Sequence, residues 1–418
     1  MHTSIHYCFR SAILMTILSG LTITNGFSQE SEGTQPAPIS TYTILTEGPI
    51  EVPFEIYHGD IRFQCEINGV EVYMLLDDGF MWDELLFWGP QVDELDLNYT
   101  GELGPIGSPG DKTSGPPSKT ADGITVRFAG VEFTDEKAIV SPPGSWYQRA
   151  FVGSEGQFSG TFFKNFTVDI NFDEMVITLI EPDEFSYMGS GKAVEWTPSG
   201  FGPRQIPVVF GLEGDRTVEM NVLMDLGYNN QFQIVTGGEH GFAMPGKTLI
   251  EKIDRGVGPT ETFYQGRLPA VSIGGYELTD VLVALLPEDH SSMVFSEVMM
   301  GLNFLTRFNV VYDYHHNRIY LEPNKKFNTP FEYDMSGFVF RTLPDGELEI
   351  KEVHPDSPAA EAGLAVGDII TQINGKPSAD YSRFDLRAMF KNKGETIALH
   401  IRTGGETREV GLKLKRVI

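Results

Sequence analysis

The chain has 418 residues, of which 41% are hydrophobic, 11% aromatic and 21% charged, values of an ordinary globular protein and far from those of a disordered one. At about 100 to 200 residues per domain, it is long enough for two or three domains with real cores. Lys and Arg number 31 against 58 Asp and Glu, a formal charge of -27, which makes nucleic acid and anionic lipid poor partners and favours neutral or cationic ones.

Residues 1–28 read as a signal peptide, with a single cation at Arg10, an apolar run over Ala12–Ile23, and the small residues Gly26 and Ser28 before the expected cut. The mature chain is therefore expected outside the cytoplasm, in the periplasm or beyond the cell. No later segment has the roughly 18 uninterrupted apolar residues of a spanning helix, so no integral membrane segment is expected. Cys8 leaves with the signal and Cys65 remains alone, so no internal disulfide can form. Residues 29–41 form a polar, Pro-containing linker.

The next two segments, 42–185 and 186–328, repeat one plan. VEVYMLLDDGF around Asp77 is matched by TVEMNVLMDLGY around Asp225, 148 residues further on; FAGVEFTD (Phe128–Asp135) is matched by IGGYELTD (Ile273–Asp280) at a shift of 145. GTFFKNFTVDINFDEMVITLIE from Gly160 is matched by GLNFLTRFNVVYDYHHNRIYLEP from Gly301 at a shift of 141 to 142. Three blocks in one order at a near-constant shift indicate an internal duplication. Within each copy, short runs of Val, Ile, Phe and Tyr are punctuated by Gly and Pro, the pattern of short strands and hairpins. A single helical turn is expected after Gly160 and after Gly301. The stretch Gly104–Gly123 is too rich in Gly and Pro for regular structure and reads as a flap or lid.

Residues 331–418 change character, with SGFVF, then SPAAEAGL (Ser357–Leu364), GDIITQING (Gly367–Gly375), a helical SRFDLRAMFKNKG and two strands. This segment resembles a PDZ domain. In that family a loop of backbone N–H groups holds a terminal carboxylate and a strand edge accepts an extended peptide. The resemblance implies that Ser336, Gly337, Phe338 and Val339 take these roles; the alternative is a PDZ domain that only packs on its neighbour.

The duplicated region, with LLDDG ending at Gly79, LMDLG ending at Gly227 and the MMGLNFLTRFNVVYDY block from Met299, resembles the retropepsin-like aspartic protease family of exported bacterial proteins. The resemblance implies a mainly β protein: two retropepsin-like (acid-protease) β-barrel units in one pseudo-symmetric bilobal domain, followed by an α+β PDZ domain. It also implies that Asp77 and Asp225 are a catalytic pair, because two carboxylates a hydrogen bond apart share a proton, one activating water while the other polarises the scissile carbonyl. Gly79 and Gly227 are expected to permit the tight turns. The family's Thr or Ser between Asp and Gly, whose hydroxyl braces one turn to the other, is here Asp78 in one half and Leu226 in the other, so no brace is expected. Phe80 and Tyr228 stand where small residues are usual and would narrow the cleft or fill it.

Two functions fit. The favoured one is an aspartic endopeptidase acting on polypeptide, since both acids survive together; the other is a peptide-binding module without hydrolysis. No metal or organic cofactor is implied, and with both half-sites in one chain a monomer suffices. HEXXH, paired Cys spacing and GXSXG are all missing from the sequence, and His315 and His316 read as solvated residues of a hairpin tip.

Overall fold

The computed structural model describes residues 41–79, 84–104, 116–158, 164–198, 204–237, 240–253, 261–288 and 296–418. The expected signal peptide, nearly all of the linker after it, Phe80 and the block beginning at Gly160 lie outside these residues, apart from the part of that block from Lys164 onward.

The protein is mainly β. In the first half, Asp60–Ile67 pairs with Val70–Leu76, which runs parallel to Gly156–Phe158; Leu85–Phe87, Val131–Val140 and Ser118–Phe128 follow, and the last returns to Asp60–Ile67. The sheet thus closes on itself. In the second half, Arg204–Leu212, Arg216–Asp225, Val298–Gly301, Phe232–Val235, Tyr276–Leu286 and Glu261–Ile273 close in the same order. Both rings alternate antiparallel and parallel pairs identically before two antiparallel pairs complete them. The duplication read from the sequence is therefore a duplication of strand connectivity.

Alternation along the strands fills both interiors. Asp60–Ile67 buries five of its eight residues, with Ile61, Phe63, Cys65 and Ile67 inward. Phe63, Phe128 and Phe158 meet in the first ring, and Phe210, Phe232 and Phe242 in the second. A third, antiparallel sheet joins the halves: at its centre Thr167–Asn171 pairs with Phe308–Asp313, Val168 opposite Tyr312 and Ile170 opposite Val310. Ile50–Pro53 and Lys192–Glu195 occupy its two ends. One apolar core runs through all three sheets.

The helical turn expected after Gly301 is present as Leu302–Leu305. Of the stretch Gly104–Gly123, residues 105–115 lie outside the described residues; in the described part, residues 118–122 of the long strand Ser118–Phe128 pair antiparallel with Asn98–Leu103, in place of the expected irregular structure. Cross-strand pairing, with Thr100 beside Thr120, outweighs the weak local propensity.

The C-terminal sheet runs Phe338–Thr342, Leu348–Val353, Ile369–Ile373, Thr396–Thr403, Glu406–Lys413, with Phe338–Thr342 at its edge. Its own core includes Phe338, Ile350, Ile370, Leu386, Phe390, Leu399 and Ile401. Helix Arg383–Met389 begins in a reciprocal capping box between Ser382 and Asp385, which satisfies two N-terminal N–H groups. Upstream, the Arg307 guanidinium gathers the carbonyls of Lys326, Phe327 and Thr329 and lies 3.5 Å from the Phe331 ring, tying the connecting segment to the start of Phe308–Asp313 in the central sheet. None of the described helices is long and apolar enough to cross a membrane.

Candidate active site

The strand Val70–Leu76 runs into Asp77, Asp78 and Gly79, and Arg216–Asp225 into Leu226 and Gly227. Each Asp folds its own turn: Asp77 Oδ1 accepts the Gly79 N–H at 3.0 Å, and Asp225 Oδ1 accepts the Gly227 N–H at 2.8 Å. The two turns then meet crosswise. A β-carbon at Gly79 would lie 2.3 to 2.7 Å from the Asp225 carboxyl atoms, and one at Gly227 would lie 2.5 to 2.7 Å from those of Asp77. The two carboxyls are close enough that the charge of Asp77 acts directly on Asp225.

This geometry corrects the expected role of the glycines. Neither Gly79 nor Gly227 has a positive φ, so the turns do not need glycine for its backbone freedom. They need it because the opposite carboxyl fills the space of a side chain.

The expected loss of the cross-brace is also corrected. Asp78 Oδ1 accepts the Leu226 backbone N–H at 2.6 Å, and the buried Tyr312, from the central sheet, feels the charge of the same carboxyl. A carboxylate thus takes the accepting role expected of a hydroxyl. Leu226 needs no polar side chain because its main chain is the donor; its side chain, 1% exposed, enters the core. Tyr228 lies with its ring against Gly301, where a β-carbon would approach it to 2.6 Å.

The electrostatics follow from crowding acids in an enclosed place. Burial and then the charges of Asp77 and Asp78 raise Asp225 well above the ordinary carboxylate range, against the opposing effect of the Gly227 N–H. Burial raises Asp78 to about 7, although its bond from Leu226 favours the charged form. Asp60, at the start of the strand beside the first turn, is pushed to about 8 by burial and by the charge of Asp77; its side chain accepts a 3.5 Å bond from Asn229 of the second turn.

Sequence reasoning missed Asp60 and also Gln157. Gln157 is 2% exposed in Gly156–Phe158 and donates from Nε2 to Asp77 Oδ2 at 2.9 Å. The enclosed Tyr147 hydroxyl also feels the Asp77 charge; its ring stacks with Trp88 at 5.6 Å in a small apolar cluster outside the first ring. Among the described residues, no group of three or more His, Cys, Asp or Glu is placed to hold a metal ion.

The expected peptide-binding loop is only partly as read. The Ser336 N–H donates to Asp334 Oδ1 at 2.7 Å and is already engaged, contrary to the expectation that it is open to a ligand carboxylate. Gly337 has φ 79°, its carbonyl accepts the His354 N–H and the Ser357 hydroxyl, and a β-carbon there would strike Ser357 at 2.2 Å. Phe338 is buried against Phe390. Val339 lies opposite Glu352 on the edge strand, beside a register shift.

The helix next to this edge rests on both rings. Phe384 stacks on His58 at 4.3 Å and 3°, His58 on Tyr57 at 4.0 Å, and Arg62 lies between Tyr57 and Tyr73 at 3.4 and 4.3 Å. Three residues on, Arg387 bonds at 2.9 Å to Glu251, in the strand Leu249–Ile253 that pairs with Glu261–Ile273 of the second ring; Glu251 also accepts from Tyr333 and Gln265, each at 3.0 Å.

Residues 349–403 match the PDZ domain family, and the C-terminal sheet is a PDZ domain. Two proteins with related sequence are the serine protease HTRA1 of Xenopus tropicalis, 43% identical over 68 residues, and the periplasmic serine endoprotease DegP of Salmonella typhimurium, 33% identical over 67. Each likeness covers 16% of this chain and 14% of the relative, and lies in the PDZ region. Among solved structures, the crystal structure of aspartic proteinase from Irpex lacteus is similar with a TM-score of 0.40 and 15% identity, over 68% of this chain and 99% of that one.

Proposed function

We propose that the two rings form a retropepsin-like, pseudo-symmetric pair of lobes and that Asp77 and Asp225 are the dyad of an exported aspartic-type peptidase acting as a single chain on polypeptide. The observation that carries this reading is the crossed packing of each carboxyl on the opposite glycine, which brings two acids together with a partly exposed face. Two carboxylates so placed ionise as a pair, with one proton between them over the working range.

In the reaction, Asp77 takes a proton from a water molecule as its oxygen attacks the scissile carbonyl, and Asp225 gives its proton to the carbonyl oxygen. The gem-diol then collapses: Asp77 returns its proton to the leaving nitrogen, the C–N bond breaks, and Asp225 recovers a proton from the diol. Proton count and charge are restored after each turnover. The PDZ domain, resting on both lobes through Phe384 and Arg387, would bind an extended peptide along Phe338–Thr342 and deliver it toward the cleft.

A peptide-library digestion with the purified full chain between pH 3 and pH 8 tests the reading, with Asp77→Asn and Asp225→Asn as controls. Cleavage by the wild type that falls by at least roughly a thousandfold in either variant supports it. Undiminished cleavage in both variants overturns it. A wild type that binds peptides without cutting them favours the binding-module alternative.

A further inference from the structure

Resting on the dyad reading above, we infer that Gln157 is a positioning residue that breaks the symmetry of the site, making Asp77 the acid that carries the charge and Asp225 the acid that carries the proton.

The register establishes the asymmetry. Gln157 pairs with Leu75, two residues before Asp77, in a parallel ladder; Met299 pairs with Leu223, two residues before Asp225, in the same kind of ladder. The two residues are structural counterparts, and only one has an N–H to offer, since a thioether is a weak acceptor and no donor. Each oxygen of Asp77 consequently has a donor, Oδ1 from Gly79 and Oδ2 from Gln157.

A second donor favours the ionised form of a carboxyl, and a donor in an enclosed place does so strongly because water cannot substitute for it. Gln157 cannot easily swing away. Its strand is held on both sides, by Leu75 in one neighbour and Leu86 in the other, and its side chain has almost no exposed surface. Among the described residues, the titratable groups that feel the Asp77 charge include Asp225, Asp78, Asp60 and the Tyr147 hydroxyl, all of which oppose its ionisation or are opposed by it. Gln157 is the neutral donor set against them.

The consequence is directional chemistry. Water is activated from the Asp77 side, and the carbonyl oxygen is protonated from the Asp225 side, so a bound peptide has one productive polarity across the cleft.

The test compares wild type with Gln157→Met, which copies the other half, and Met299→Gln, which gives Asp225 a donor of the same kind. Carbon-detected NMR of the Asp side chains follows the dyad through a pH titration without requiring activity, and the pH profile of kcat/KM follows it during turnover. In Gln157→Met, the first ionisation of the pair is expected to rise by about one pH unit and the acidic limb of the profile to move with it. In Met299→Gln, the last ionisation is expected to fall. Should Gln157→Met not fold, Met299→Gln alone decides. A titration unchanged in a folded variant, or Asp225 ionising before Asp77 in the wild type, overturns the inference. Shifted titrations in a protein that cleaves nothing would uphold Gln157 and sink the peptidase reading; cleavage with unshifted titrations would do the reverse.

Discussion

The Asp78 carboxylate accepts the Leu226 backbone N–H at 2.6 Å across 148 positions of chain. This bond ties the two turns, and its loss strands a donor in an enclosed site. Asp78→Ala is expected to cost about 1 to 3 kcal/mol of stability, while Asp78→Asn, whose amide oxygen still accepts, costs less. Leu226→Ala removes core packing instead and should cost about 2 to 5 kcal/mol. Urea melts of the three variants provide the comparison; an Asp78→Ala protein as stable as wild type would show that the bond is incidental.

Gly79→Ala and Gly227→Ala test the crossed packing. The new methyl must displace the opposite carboxyl, which sits well inside contact distance. Any peptide hydrolysis should fall at least about a hundredfold, as misplacement of a reacting group does, while far-UV circular dichroism stays that of the wild type. Activity retained in both variants would mean the turns stand further apart than described.

The raised acids predict an unusual pH dependence of stability. Asp60 at about 8 and Asp78 at about 7 lie above the value near 4 of an unfolded chain. The folded protein therefore holds protons that the unfolded chain releases, so stability is greatest below about pH 4 to 5 for these groups and falls as pH rises through 7 and 8. The loss is up to about 1.4 kcal/mol per pH unit for a group such as Asp60. The melting temperature should be higher at pH 5 than at pH 8, and Asp60→Asn should flatten the difference. A melting temperature that rises toward pH 8 would contradict the assignment.

The seat of the PDZ domain makes a further prediction. Phe384→Ala removes the ring that covers His58, a stacking contact worth about 0.5 to 1.5 kcal/mol beyond area, and Glu251→Gln weakens the bond from Arg387. Limited proteolysis of the connecting segment, residues 324–334, should quicken severalfold in the double variant while the rings resist as before. Equal protection in wild type and variant would show that other contacts hold the domain.

Much of this architecture was written in the sequence, and the reason is physical. A strand that must deliver an Asp into a turn needs apolar residues before it and a residue without a side chain after it, so LLDDG and LMDLG are repeated where other positions drifted. The PDZ segment was legible because its caps and turns demand Ser, Pro, Asp and Gly at fixed spacing, as Ser357 and Gly337 demonstrate. Gln157 was not legible. It is one amide in a short apolar run, and its meaning comes from a bond to Asp77 formed 80 positions away through a parallel ladder. Asp78 was misread for a related reason: its partner is a main-chain N–H, which every residue but proline carries and no sequence pattern marks.

The two halves meet in the central seam, where Val168 lies opposite Tyr312, and are carried on one continuous chain. In a pair of identical chains each substitution is written twice, and whatever suits one half-site is imposed on the other. Fusion removes that constraint. Position 157 can hold Gln while 299 holds Met, and the hairpin at His58 can evolve a flat aromatic seat while the second half supplies Glu251 as an anionic one. A single PDZ domain can then straddle two unlike supports, a placement that strict twofold repetition would forbid.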